Sequence, residues 1–143
     1  MKVSTILKEK GGKVVTLEGK TSLEDAVSTL ARERIGAVVI LDSRKQIAGV
    51  FSERDAVRAI SEEGAAALSK PIRELMTRKV ISCSMEDTLD QLLEKMTKGR
   101  FRHLPVVEGG SLAGIISIGD VVKHKIASSE SEAEAMREYI STG

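Results

Sequence analysis

The chain carries one pattern twice. Residues 49–55 read GVFSERD and residues 114–120 read GIISIGD, each a glycine, two apolar residues, a serine, two variable residues and an aspartate. The match extends beyond these seven positions. At an offset of 66, Leu89 falls on Leu23, Leu92 on Ala26, Met96 on Leu30 and Arg100 on Arg34. The turn before the motif is one residue shorter in the second copy, so the offset becomes 65, and Leu112, Gly114, Ser117 and Asp120 fall on Ile47, Gly49, Ser52 and Asp55. The unit runs from about Val14 to Ile60 and again from about Val80 to Ile126. A solenoid needs three or more copies. Two copies predict a pseudo-twofold pair that shares one core.

Each unit reads as β-α-β-β-α. It opens on a short apolar strand, VVTL or VISC. A helix follows, with Leu23, Ala26, Val27, Leu30 and Ala31, or Leu89, Leu92, Leu93 and Met96, at helical spacing. Thr21 with Glu24, and Asp87 with Asp90, have the spacing of an N-cap and its third helical residue. Gly36 and Gly99 mark the helix ends. AVVIL and LPVV are continuous apolar runs, as in buried strands. IAGVFS and LAGIIS are the next strands, and the second helix of each unit starts at the serine. The fold class is therefore α/β (α+β). The sequence divides into residues 1–70, the first repeat with an N-terminal segment that reads as a short helix closed by Gly11 and Gly12, and residues 71–143, the second repeat with a C-terminal helix. A structured connector begins near Pro71, and the charged tail extends the last helix before fraying.

Composition excludes several classes. The 143 residues carry a net charge of +1 with both signs interspersed, unlike the basic footprint of a duplex-DNA binder. No apolar run is long enough for a membrane span, and the start has no secretory signal. With Cys83 as the single cysteine, no internal disulfide forms, and a reducing, cytoplasmic setting is expected. Phe51, Phe101 and Tyr139 are the only aromatics, so a bound base rests on aliphatic side chains rather than on a stacking platform. No G-x-S-x-G, Walker loop, H-E-x-x-H or metal-spaced His/Cys cluster occurs, and Asp55 and Asp120 sit in matched settings, unlike a catalytic acid–base pair. No catalytic residue and no metal ligand is assigned.

The repeated serine and aspartate have two compatible readings. Ser52 with Asp55, and Ser117 with Asp120, are spaced as capping boxes. The same geometry suits a nucleotide: a helix N-terminus receives phosphate, and a carboxylate one turn on accepts both hydroxyls of a ribose. Gly119 lies between the second pair. Arg102 and His103, in FRHLPV, are expected to face the same cleft as Ser117 and Asp120, where an arginine forks onto phosphate and a histidine adds a donor. The first copy has only Gly36 and Ala37 at the corresponding place, with Arg54 as a partial substitute and Arg58 read as helix surface. Two unequal sites follow, the one around Asp120 better equipped for phosphate.

Together, GVFSERD and GIISIGD, RIGAVVILD and GRFRHLPVVE, and IRELMTRKVISCSMEDTL at the junction resemble a tandem pair of cystathionine-β-synthase (CBS) domains, a Bateman module, over about residues 1–127. The resemblance implies a regulatory module that binds AMP, ADP, ATP or NAD(H) without catalysis and signals to a separate protein. It implies adenine contacts near Val15, Thr16 and Ile35 and near Ile81, Ser82 and Phe101. It also implies a homodimer packed through helices, with Ala26, Leu30, Leu92 and Met96 as candidate faces. The alternative is a structural dimerisation module with no ligand.

Overall fold

The computed structural model describes residues 1–142, and within the last helix the side chains of Ser131, Glu132, Ala135, Tyr139, Ser141 and Thr142 lie outside the described set. The order is α1 (Val3–Lys10), β1 (Thr16–Glu18), α2 (Leu23–Glu33), β2 (Ala37–Leu41), β3 (Ile47–Ser52), α3 (Glu53–Glu63), two 3₁₀ turns (Gly64–Ser69 and Ile72–Glu74), α4 (Leu89–Gly99), β4 (His103–Glu108), β5 (Ser111–Ser117) and α5 (Ile118–Thr142). Strands β1, β2 and β3 form one sheet, with β1 parallel to β2 and β2 antiparallel to β3. Strands β4 and β5 form an antiparallel pair.

The second repeat lacks its expected opening strand. VISC makes only a single parallel bridge, Cys83 to Val106. The caps of α2 and α4 also fall one residue later than their spacing suggested. Ser22 accepts the Asp25 N–H at 3.1 Å, and Thr88 forms a reciprocal box with Gln91. Helix α4 ends on Gly99 as expected and α2 ends at Glu33, close to Gly36, and each is capped by an arginine in the left-handed region, Arg34 at φ 56° and Arg100 at φ 55°.

The buried apolar residues gather in two clusters rather than the single shared core expected. One contains Leu23, Leu30, Val38, Ile40 and Phe51, and the other Leu89, Leu92, Leu104, Val106 and Ile116. Each cluster is completed by a segment from outside its own repeat unit. Val3, Ile6 and Leu7 of α1 pack into the second cluster, and Ala67 and Ile72 of the connector pack into the first.

The two docking modes match bond for bond. The Val3 N–H donates to Asp87 O and the Ser4 N–H to Met85 O, while the Ile72 N–H donates to Thr21 O and the Arg73 N–H to Gly19 O. This docking explains the glycine that opens each repeated motif. A Cβ on Gly49 would lie 2.7 Å from Thr77 O, and one on Gly114 would lie 2.8 Å from Leu7 Cδ2. The close approach that each glycine allows is to the docked segment. Ala26, Leu30, Leu92 and Met96 are buried in their own clusters, so they offer no exposed face to a second copy.

Candidate functional site

Each repeated serine stands where a strand hands over to a helix. Ser52 ends β3 and Ser117 ends β5, so the aspartate three residues on falls in the first helical turn. Both capping arrangements form. The Ser52 N–H and Oγ–H reach Asp55 Oδ2 at 2.9 and 3.2 Å, and the Ser117 N–H and Oγ–H reach Asp120 Oδ2 at 2.9 and 3.0 Å. The Asp120 N–H returns to Ser117 Oγ at 3.2 Å. Each helix start is tied to the strand entry beside it: the Glu53 N–H donates to Gly36 O and the Ile118 N–H to Arg102 O.

A cleft of about 550 Å³ opens between the repeats, on the Asp55 side. The first repeat and its connector contribute Gly36, Ser52, Arg54, Asp55, Arg58, Thr77 and Lys79, and the opening segment of the second repeat contributes Val80 and Ile81. The second also contributes Arg100, Phe101, Arg102, His103 and Pro105. Five of these are permanent cations (Arg54, Arg58, Lys79, Arg100 and Arg102), against the carboxylates Glu53 and Asp55.

Asp55 is 3% exposed. Its Oδ1 accepts Arg58 Nη2 at 2.6 Å and Thr77 Oγ1 at 3.3 Å. With Ser52 on Oδ2, its accepting positions are filled from within the chain.

The second carboxylate is held differently. Lys10 Nζ, from the end of α1, lies 2.6 Å from Asp120 Oδ2 and 2.8 Å from Ile115 O. Burial opposes ionisation of Asp120, but the Lys10 ammonium and the Ser117 donors outweigh it and leave the carboxyl below its ordinary value. His103 lies between the two sides. Burial lowers its pKa, and Lys10 and Arg102 lower it further against the opposing pull of Glu53 and Asp120. Gly36 leaves room for this ring, because a Cβ there would stand 3.2 Å from His103 Cε1.

The cleft gathers expected site residues from both repeats. Arg102 and His103 line the cleft with Ser52 and Asp55, and His103 also pairs with Ser117 across β4 and β5 and feels the Asp120 charge. The physical reason is that β4 of the second repeat starts opposite α3 of the first. The basic side chains of the cleft lie on the Asp55 side. Arg54, Gly36, Ile81 and Phe101 join that cleft.

Ser117, Gly119 and Asp120 stay together at the start of α5. Val15 and Ile35 pack against the first cluster, Ala37 is buried and Thr16 is exposed on β1. The Ser82 carbonyl accepts Lys95 Nζ at 3.0 Å. Arg58, read as helix surface, reaches Asp55, and Thr77, Lys79, Arg100 and Lys10 were not singled out. The usable signal for Arg58 was its spacing, three residues after Asp55 on one helix face. Among the described residues, no cluster of His, Cys, Asp and Glu could hold a metal, and no helix is long and apolar enough to cross a membrane.

The family model for the CBS domain matches residues 5–62 and again residues 72–127. The chain belongs to the CBS-domain family. The CBS-domain containing protein ATU1752 from Agrobacterium tumefaciens is 48% identical, with a TM-score of 0.85 over 87% of this chain and 92% of that one. The CBS domain protein PAE2072 from Pyrobaculum aerophilum, solved in complex with AMP, is 28% identical, with a TM-score of 0.75 over 84% and 89%. The CBS domain pair of MJ0100, solved with 5-methylthioadenosine and S-adenosyl-L-methionine, is 25% identical, with a TM-score of 0.76 over 86% and 98%. The fold is that of a CBS pair, and adenosine ligands occur among such pairs.

Proposed function

We propose that this CBS pair is a non-catalytic regulatory module that binds an adenosine nucleotide in the Asp55-side cleft and passes its occupancy to a separate protein. The observation that carries the reading is the lining of that cleft. One buried carboxylate stands beside five permanent cations, in a volume within the usual range for small-molecule sites. Asp55 suits a ribose hydroxyl at the place on Oδ1 that Arg58 leaves when it turns to phosphate. Arg54, Arg58, Lys79, Arg100 and Arg102 suit phosphate oxygens. Ile81, Val80 and Pro105 give the base an aliphatic wall. The excess of positive charge favours AMP, ADP, ATP or NAD(H) over the cationic S-adenosylmethionine.

Melting the protein with each of AMP, ADP, ATP, NAD, NADH, adenosine and S-adenosylmethionine tests this. A ligand at one hundred times its Kd should stabilise the fold by about 2.7 kcal/mol. If no adenosine compound raises the melting temperature, the reading fails and a ligand-free structural module remains.

The assembly proposed is a homodimer. Val57 and Ile60 on α3 and Val122 and Ile126 on α5 are exposed, and Val57 and Val122 occupy matching places in the repeats. A second copy would cover both patches at once. Sedimentation at micromolar concentration should show a dimer, and a Val57→Glu, Val122→Glu double variant should be monomeric. A monomeric wild type ends this part of the proposal.

A further inference from the structure

The two repeats hold a matching strand carbonyl and aspartate carboxylate with different groups, and at different carboxylate oxygens, Oδ1 of Asp55 and Oδ2 of Asp120. In the first, Val50 O accepts the Thr77 N–H at 2.9 Å, and Asp55 Oδ1 accepts the Thr77 hydroxyl at 3.3 Å. Ile115 and Asp120 stand at the matching places in the second. There one group, the Lys10 ammonium, donates to both, at 2.8 and 2.6 Å. Thr77 serves its acceptors partly through a backbone bridge that belongs to the fold. Lys10 serves them through the end of a long side chain. It is the last residue of α1, and Gly11 after it has a φ of 92° that suits a chain reversal.

We propose that Lys10 is a tethered competitor for Asp120: it bars a ribose diol from the second half-site, so that the chain takes one nucleoside ligand, on the Asp55 side. The inference rests on the adenosine reading of the cleft. Its chemistry is a comparison of donors. Both the diol hydroxyls and the ammonium bond a charged carboxylate, but the ammonium adds an opposite charge and is already tethered to the chain, so it competes without the loss of translational freedom that a free diol undergoes on binding.

Arg58 competes for Asp55 in the same way, but under different constraints. Its side chain is 57% exposed and lines the open cleft, where a ligand phosphate can draw it away. Lys10 is 32% exposed and is held by a second acceptor, the Ile115 carbonyl, which no ligand removes. The half-sites thus differ in what holds each carboxylate: Arg58 and Thr77 sit on Oδ1 of Asp55, whose side chain is 4% exposed, and Lys10 sits on Oδ2 of Asp120, whose side chain is 24% exposed.

Calorimetric titration of the full chain with AMP and with adenosine tests the proposal. The wild type should take up one ligand per chain and Lys10→Met two. Lys10→Arg, which keeps the charge, should stay at one. Adding Asp120→Asn to Lys10→Met should return the count to one, which places the second ligand. Two ligands on the wild type, or one on a Lys10→Met protein that melts cooperatively, overturn the proposal and leave the cleft reading intact. If Lys10→Met fails to fold, Lys10→Gln serves the same test with the same two outcomes. No uptake by any of these proteins overturns the adenosine reading and this inference with it.

Discussion

Arg58 Nη2 lies 2.6 Å from Asp55 Oδ1, one helical turn away, and neutralises a carboxylate that solvent scarcely reaches. A ligand carrying both a diol and a phosphate can replace that contact at both ends: a diol hydroxyl takes the place on Oδ1 beside Thr77 and the phosphate takes the guanidinium. A ligand with no phosphate displaces the arginine without giving it a new partner.

Single substitutions in the cleft should separate these roles. Asp55→Asn should weaken AMP and adenosine alike, since hydrogen bonds to a charged group contribute about 1.5–3 kcal/mol, or roughly 10- to 150-fold in affinity. Arg102→Ala should weaken AMP and leave adenosine nearly unchanged. Arg58→Ala should weaken AMP but tighten adenosine, because the competitor for Asp55 is gone. Calorimetry with both ligands reads all three. Asp55→Asn binding AMP as the wild type does would leave the carboxylate as a helix cap only.

Much of this was legible in the sequence because the repeat is a property of spacing. The paired GxxSxxD frames located both strand-to-helix handovers, and the helical stripes located both clusters. What stayed hidden was connectivity in space. Apolar residues in α1, such as Val3 and Ile6, show that a face must be covered, but not by which repeat. That choice depends on the docking of a segment across the pseudo-twofold axis. Arg102 and His103, which line up with Asp120 along the chain, also meet Asp55 across the cleft. The glycines marked both helix ends, but the caps Arg34 and Arg100 were not legible for a local reason: the left-handed residue is usually glycine, and here it is not.

Cys83 is buried, and burial, with Asp87 adding to it, pushes its thiol from an ordinary 9.0 up to about 11. The thiolate is the reactive form. Two pKa units correspond to roughly 100-fold less thiolate near pH 8. Iodoacetamide should therefore modify the native protein at least about 100-fold more slowly than the protein in denaturant. Equal rates would mean that the bridge between Cys83 and Val106 is open in solution.

His103 should make stability depend on pH in one direction. Its folded pKa is lowered, first by burial and then by Lys10 and Arg102, below the ordinary 6.5. Between the folded and unfolded values the unfolded chain binds more protons, so stability rises with pH across that window. The contribution is intact above about pH 6.5 and is lost as the pH falls below it. Urea melts at pH 7 and pH 5 should show a larger loss for the wild type than for His103→Gln. An equal or smaller loss in the wild type would show that the ring is not held in its neutral form.

The exchanged segments give the sharpest test of the architecture. Ile6 precedes the first repeat in sequence, yet it is fully buried in the second cluster, and Ile72 precedes the second repeat yet is fully buried in the first. Truncating a buried isoleucine to alanine costs about 2–5 kcal/mol. Where that cost appears depends on which cluster loses the side chain. Hydrogen exchange resolves it, because local opening is read amide by amide. Ile6→Ala should lower protection in β4 and β5 more than in β2 and β3, and Ile72→Ala should do the reverse. For the same reason residues 78–143, expressed alone, lack Val3, Ile6 and Leu7 from their cluster and should not melt cooperatively as a monomer, whereas the full chain should. If Ile6→Ala loosened β2 and β3 first, α1 would belong with the repeat that follows it in sequence, and the exchange of segments would be wrong.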